Sequence, residues 1–162
     1  MHLYNYNIKQ YLYGFQFYIP DCMIDDFSVY IRRYWYKIGP ELIGVIMESA
    51  LRLERHHWII EFMLDKGYNV DTIFALPGIR KTTVLMLALE TSKFWAIDLI
   101  LDKKPDLFIR DTHGEYYGEY PSMHLIRYKK EDFSDNPLVL GIIHKYNALK
   151  EQQIPLTPLS KN

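Results

Sequence analysis

The feature that most constrains the fold is a helical pattern that recurs at a fixed spacing of 37 residues. Amphipathic helices alone repeat every 3.6 residues, so they give no reason for turn residues to recur at a long fixed distance. The repeated pattern therefore predicts a structural unit present in two copies, and such units bury their apolar faces by stacking. The matched pairs are Ile60 with Ile97, Leu64 with Leu101, Asp65 with Asp102, Lys66 with Lys103, and Asn69-Val70 with Asp106-Leu107.

Residues 83–111 form the clearer copy. Thr82 or Thr83 suits the N-cap of a first helix that carries apolar residues as far as Leu89. The polar pair at 92–93 interrupts the pattern, and a second apolar helix follows over 94–101. Pro105 prevents that helix from continuing. The segment is therefore predicted to be a helix–turn–helix–loop unit.

The upstream copy spans residues 39–71. Pro40 suits a first helical turn, and apolar residues then recur at helical spacing as far as Leu51. The polar run 55–57 separates this helix from a second one over 59–64, and Gly67 is a natural stop. This first helix is about two turns longer than its counterpart in the clearer copy.

The clearer copy resembles an ankyrin repeat. Its residues 83–88, Thr-Val-Leu-Met-Leu-Ala, stand where that family has Thr-Pro-Leu-His-x-Ala, and Asp106 and Asp111 fit the family's loop. Residues 64–70 of the upstream copy are similar to the family's Leu-x-x-Gly-Ala-Asp-Val. The proline and histidine of the opening motif are missing, and the four residues beyond the family's spacing fall in 74–80. The resemblance implies an all-α fold, a short ankyrin-like helical solenoid of about three units.

The resemblance divides the chain into three regions. Residues 1–38 form an aromatic-rich N-terminal cap, with a strand-like stretch at 11–20 and a helical one at 25–37. Residues 39–150 contain the repeats, and a third unit would use helices at 121–126 and 137–146. Residues 151–162 contain two prolines and no apolar period, which predicts a flexible tail.

Stacked repeats usually present a surface to a partner, so we expect a non-enzymatic protein–protein interaction module. Contacts would come from the loop tips at 74–81 and 110–120 and from the concave helix face. An exposed apolar cluster in the first tip would need a partner, and packing against the neighbouring unit is the alternative. The candidate partner-binding residues are Phe74, Leu76, Ile79, Arg80, Arg110, His113, Tyr116, Tyr117 and Tyr120.

The segment 30–37 supports an alternative function. Its aromatic and basic residues could bind a nucleic acid or a nucleotide by stacking and by phosphate contacts. The formal net charge of −1 argues against nucleic acid. The other interpretation is that the segment caps the array with its aromatic rings in the core. The residues concerned are Arg32, Arg33, Trp35 and Tyr36.

Motifs for catalysis or cofactor binding are not found in the sequence. Adjacent helical residues such as His56 and His57 diverge by about 100°, so they are poorly placed to share a metal. Cys22 is the single cysteine, and we expect it to be a small buried apolar residue. We therefore expect no enzyme activity, cofactor or metal. An enzyme on an unfamiliar helical scaffold remains a third hypothesis and would need a concave pocket with converging polar groups.

The sequence also predicts where the protein works. One cysteine, no secretory signal and no apolar run of about 18 residues favour the cytoplasm and argue against a membrane. The irregular repeats resemble those of viral or bacterial ankyrin-like proteins directed at a host, for which the site would be the host cytosol. The identity of the partner protein and the oligomeric state stay open.

Overall fold

A computed structural model describes residues 29, 31–37, 46–51, 57–76, 80–113, 116–117, 120–123, 125 and 135–154. The described part is mostly helical. Residues 31–34 are helical and lead into the 3-10 turn Trp35–Lys37, and residues 46–51, 121–123 and 125 are also helical. The four bounded α-helices are α1 (His57–Asp65), α2 (Val84–Glu90), α3 (Phe94–Asp102) and α4 (Pro137–Gln153).

The helical hairpin predicted over 83–102 is confirmed as α2 and α3. The Thr83 hydroxyl accepts a hydrogen bond from the Met86 amide at 3.3 Å, so Thr83 is the N-cap of α2. Ser92 lies between the helices with φ 53°, a left-handed conformation that ends one helix and redirects the chain into the next. The polar pair at 92–93 therefore interrupts the helix as expected.

The ends of α1 and α3 repeat one another in detail. Gly67 and Lys104, 37 residues apart, both have positive φ, and each donates its amide hydrogen bond to a leucine carbonyl three residues earlier, at 3.1 and 3.0 Å. Two residues after each, the Asn69 and Asp106 side chains accept bonds from the amides of residues 71 and 108. The turn residues matched in the sequence therefore adopt matched turn conformations.

The bounded helices pack around α3. α3 lies between α1 and α4 and contacts both, while α2 packs against α3. Positions matched in the sequence share their burial, since Ile60 and Ile97 are buried, as are Val70 and Leu107. One continuous apolar core runs from Ile31 through the helices to α4.

A small antiparallel sheet accompanies the helices, and the mostly helical structure is compatible with the predicted all-α class. Its strands are β1 (Phe74–Ala75), β2 (Arg80–Thr82), β3 (Thr112–His113) and β4 (Tyr116–Tyr117), in the order β1-β2-β3-β4. β1 and β2 occupy the segment that carries the surplus residues. β2 pairs with β3 and so joins the hairpin that precedes α2 to the hairpin that follows α3.

Hydrogen bonds connect the turns after α1 and α3 to each other and to the end of α4. The Asp71 carboxylate accepts a hydrogen bond from the Asp106 amide at 2.8 Å. The Gln153 side chain accepts from the Leu107 amide at 3.0 Å and donates to the Pro105 carbonyl at 2.7 Å. α4 therefore ends at Gln153, beyond residue 151 where the sequence predicted a tail, because these hydrogen bonds hold its last turn.

The predicted N-terminal cap is described only in part. Ile31 is fully buried in the core and Trp35 packs against it, so the segment 31–37 docks onto the helices. The strand-like stretch at 11–20, Cys22 and the helix start at Pro40 lie outside the described residues. Within the described residues, none of the helices has the length and apolar character needed to cross a bilayer.

Candidate interaction surface

The sheet has an inner and an outer face, and its alternation decides which side chains reach a partner. Phe74 pairs with Thr82, and both are buried against the helices, as is Leu76. Ala75 pairs with Lys81, and both are exposed. Side chains directly opposite in an antiparallel pair share a face, so these two pairs mark the two sides of the sheet.

The exposed apolar cluster expected at the first tip does not form at Phe74 and Leu76. Their side chains are 1% and 7% exposed, which corresponds to the alternative of packing against the neighbouring units. Ile79 lies outside the described residues. Next to this tip, Ile73 is a large apolar side chain that is 51% exposed.

Arg80 connects the sheet to the rest of its unit. Its guanidinium donates to Glu90 at 2.6 Å and to Asp111 at 2.9 Å and 3.2 Å. Burial lowers the pKa of Arg80, but the two carboxylates outweigh it and raise the pKa above its usual value. Because its charge is paired on both sides, Arg80 stabilises the hairpin and is poorly placed to bind a partner.

Arg110 and Tyr120 flank the second hairpin and contact one another. The Arg110 guanidinium carbon lies 3.9 Å from the centre of the Tyr120 ring, within the range of a cation–π contact. Arg110 is exposed and Tyr120 half-buried. A guanidinium held on an aromatic ring is oriented before it meets a ligand, which reduces the side-chain entropy that binding would cost.

The remaining candidates of the second tip are described through their backbone. His113 is the register partner of Arg80 on one side and of Tyr116 on the other. Tyr117 pairs with Thr112, which in turn pairs with Lys81. One register row therefore crosses all four strands, through residues 75, 81, 112 and 117.

The helix face expected to bind a partner offers little exposed surface in the described residues. Residues 46–51 of the first unit are all buried, and so is every residue of α2 from Val84 to Leu89. Glu90 is exposed, but it is the ion-pair partner of Arg80. Binding through the first helices is therefore not favoured over the residues that the structure describes.

The alternative basic patch is partly occupied within the chain. The Arg32 guanidinium lies 5.3 Å from the ring centre of Trp58 and 5.7 Å from that of Phe62, both on α1. Arg33 lies 5.7 Å from the Tyr34 ring, and Trp35 is half-buried. Tyr36 is 65% exposed. These contacts favour the capping interpretation of the segment.

A second surface feature, not anticipated from the sequence, is an open depression of about 770 Å³ over α1, α3 and α4. It begins at the N-terminal ends of α1 and α3 and reaches α4. Aromatic and aliphatic side chains form most of its wall, with two carboxylates and one lysine among them. The lining residues are His57, Glu61, Ser92, Lys93, Phe94, Trp95, Asp98, Leu99 and Leu138.

One signal in the sequence could have identified residues of the depression that were missed. The 37-residue spacing matches Trp58 with Trp95, and Glu61 with Asp98, on exposed or half-buried helix positions. The four residues at 73–76 are all apolar, so the sequence shows no alternation that separates Phe74 and Leu76 from Ala75.

Comparison of the chain with family models, with curated proteins and with solved structures found no match in any of the three.

Proposed function

We propose that the protein is a non-enzymatic interaction module that holds a partner protein on the outer face of its hairpin sheet. The observation that carries this proposal is the pairing of β2 with β3, which joins the loops of two successive units. Loops that are separate in sequence thereby become one surface with a fixed register. Rigid scaffolds that position variable loops are a common arrangement for binding.

The chemistry of this face supports a protein partner. Ala75 and Lys81 are exposed in one row with the half-exposed Thr112, and Arg110 lies two residues before Thr112 with its guanidinium on the Tyr120 ring. Tyrosine and arginine are enriched at the energetically important positions of protein interfaces. Two cations on this face favour a partner with a complementary acidic patch.

The similarity to ankyrin repeats agrees with this proposal but is not its main support. A helical pair followed by a β-hairpin occurs in units related by 37 residues, and the second helices of these units lie side by side. We propose that the described units form a short ankyrin-like stack acting in the cytoplasm. The nucleic-acid alternative is not favoured, because Arg32 is held on α1 by two aromatic rings.

Affinity capture from cell lysate tests the proposal. The test variant carries Lys81→Glu and Arg110→Glu, which reverse both cations of the outer face. The matched control carries Lys66→Glu and Lys103→Glu, which reverse two exposed cations after α1 and α3. We expect a partner that the wild-type chain and the control retain and the test variant loses. Equal retention by all three proteins, at equal thermal stability, would contradict the proposal.

A further inference from the structure

The depression over α1, α3 and α4 resembles a site on α1 that the chain occupies with its own Arg32 side chain. Trp58 and Phe62 lie one helical turn apart on α1, and Trp95 and Leu99 lie one turn apart on α3. Each residue of the second pair follows its counterpart in the first pair by 37 positions. On α1 the two rings carry the Arg32 guanidinium at 5.3 and 5.7 Å. On α3 the equivalent two side chains line the depression.

Trp95, unlike Trp58, has no cation from the described part of the chain on its ring. Trp95 is half-buried and contacts the His57 ring edge-on, with ring centres 5.6 Å apart and ring planes at 76°. An edge contact leaves ring surface for a further neighbour. Arginine is the side chain that most often occupies the face of a tryptophan.

The carboxylates around the depression favour a positively charged occupant. Glu61 and Asp98, also 37 residues apart, both line it. Asp98 shares Lys145 with Asp102, at 2.5 and 2.8 Å, so one lysine neutralises half of that pair. Glu61 is exposed and has no ion pair among the described residues. Lys93 is the second cation. The three carboxylates of Glu61, Asp98 and Asp102 therefore exceed the two lysines, Lys93 and Lys145, by one negative charge.

Apolar surface extends beyond the tryptophan and sets what flanks the cation. Leu99 is half-buried in the wall of the depression, and Leu138 is 46% exposed at its α4 end. A free small cation would leave this surface in water, whereas a peptide with apolar side chains beside its arginine would cover it. The lining therefore suits a segment of a protein chain.

We propose that the depression binds a basic segment of a partner protein, with an arginine guanidinium stacked on Trp95 and facing Glu61. The neighbouring apolar side chains of that segment cover Leu99 and Leu138. This deepens the proposed function, on which it rests, by adding a binding surface that shares no residue with the hairpin sheet. The internal contact of Arg32 with Trp58 and Phe62 is the model for the arrangement.

The test is a titration of the full chain with short peptides, followed through the tryptophan indole N–H signals in NMR spectra. The probe is an acetylated, amidated Leu-Leu-Arg-Leu peptide, and the control peptide has glutamine in place of arginine. We expect a saturable shift of the Trp95 indole signal that is about three-fold weaker in affinity for the glutamine peptide. The Trp58 signal should hardly move, because Arg32 already occupies its ring.

A charge variant separates binding from folding. Glu61→Gln should weaken the arginine peptide by about three-fold, while Glu151→Gln, on an exposed carboxylate of α4, should leave binding unchanged. Equal binding of both peptides, an unchanged affinity in Glu61→Gln, or no saturable shift would each overturn the proposal. If free argininamide bound as tightly as the peptide, the apolar contacts would contribute nothing and the assignment to a peptide would be wrong.

Failure here can be told apart from failure of the proposed function. One outcome is that the sheet variant loses its partner in lysate while the wild-type chain shows no peptide binding. This result would support the hairpin surface and rule out the depression as a binding site. Peptide binding that persists in the variant with Lys81→Glu and Arg110→Glu would show that the two surfaces act separately.

Discussion

Gly67 and Lys104 occupy the same left-handed position, with φ 79° and 54°, at the ends of two helices whose residues match at a spacing of 37. Glycine adopts this conformation without steric cost, whereas a side chain with a Cβ costs roughly 1–2 kcal/mol. Lys104 therefore adopts the same turn as Gly67 but at the steric cost of its Cβ. The left-handed conformation thus occurs at both helix ends, although only one of them has a glycine.

This equivalence predicts opposite effects for two substitutions. Gly67→Ala should destabilise the protein by about 1 kcal/mol, and because the site has open space around it, the cost is conformational. Lys104→Gly should stabilise it by about 0.5 kcal/mol. Urea unfolding measures both changes. A loss of stability in Lys104→Gly would mean that the turn is not strained as described.

The two faces of the sheet predict unequal costs for neighbouring changes. Phe74→Ala should destabilise the protein by about 3–5 kcal/mol, since the ring is 1% exposed in the core. Lys81→Ala, on the outer face, should change stability by less than about 0.5 kcal/mol. Thermal unfolding of both variants measures the difference. Similar melting temperatures would show that Phe74 is not part of the core.

The hydrogen bonds of Gln153 predict that the end of α4 stabilises the loop before it. Gln153→Ala should cost about 1–2 kcal/mol, because the Leu107 amide and the Pro105 carbonyl both lose their partner. Gln152→Ala, on an exposed position of the same helical turn, serves as the control and should be nearly neutral. Equal stability of the two variants in urea would indicate that the last turn is frayed, as the sequence alone suggested.

The buried hydroxyl of Tyr68 predicts a loss of stability in alkali. Burial raises the pKa of Tyr68 from 10.0 to about 12, so the neutral hydroxyl is favoured in the folded state. Its contribution to stability is complete below pH 10 and is lost as the pH rises from 10 to about 12. Tyr68→Phe should flatten the fall in stability over this range.

A matched variant separates this effect from the other tyrosines. Burial also raises the pKa of Tyr146, so some alkaline dependence will persist in Tyr68→Phe. Tyr36→Phe, at a side chain that is 65% exposed, should leave the profile unchanged. If Tyr36→Phe and Tyr68→Phe gave the same unfolding midpoints between pH 9 and pH 12, the assignment to Tyr68 would be wrong.

The helices could be predicted from the sequence because their signals are local. Thr83 caps α2, Gly67 follows α1, and Pro105 follows α3, and each acts through the conformation of its own backbone. The sheet could not be predicted in the same way. Its strands have two or three residues, which is too few for a period of two to be visible. The pairing of β2 with β3 also depends on contacts between segments that are far apart in the sequence.

The candidate site was predicted less well for the same reason. Which side of a strand meets the helices is decided by packing between elements that are distant in the sequence, and the sequence alone does not show it. Phe74 and Leu76 therefore appeared as exposed candidates and are buried. Arg80 was assigned to a partner and is paired to Glu90 and Asp111, of which Asp111 is 31 residues away in the chain. Arg110 and Tyr120 were both candidates of the second tip, and the structure shows that their side chains contact one another.

The most direct test of the account is a disulfide across the junction of the two hairpins. In a chain with Cys22→Ser, the pair Lys81→Cys and Thr112→Cys lies on register partners of β2 and β3. The control pair, Ala75→Cys and Thr112→Cys, lies two strands apart, at about 10 Å and beyond disulfide reach. Mass spectrometry after mild oxidation should find an intramolecular disulfide in the first pair and free thiols in the second. Free thiols in the first pair, or equal oxidation of both pairs, would contradict the joined surface on which the proposed function depends.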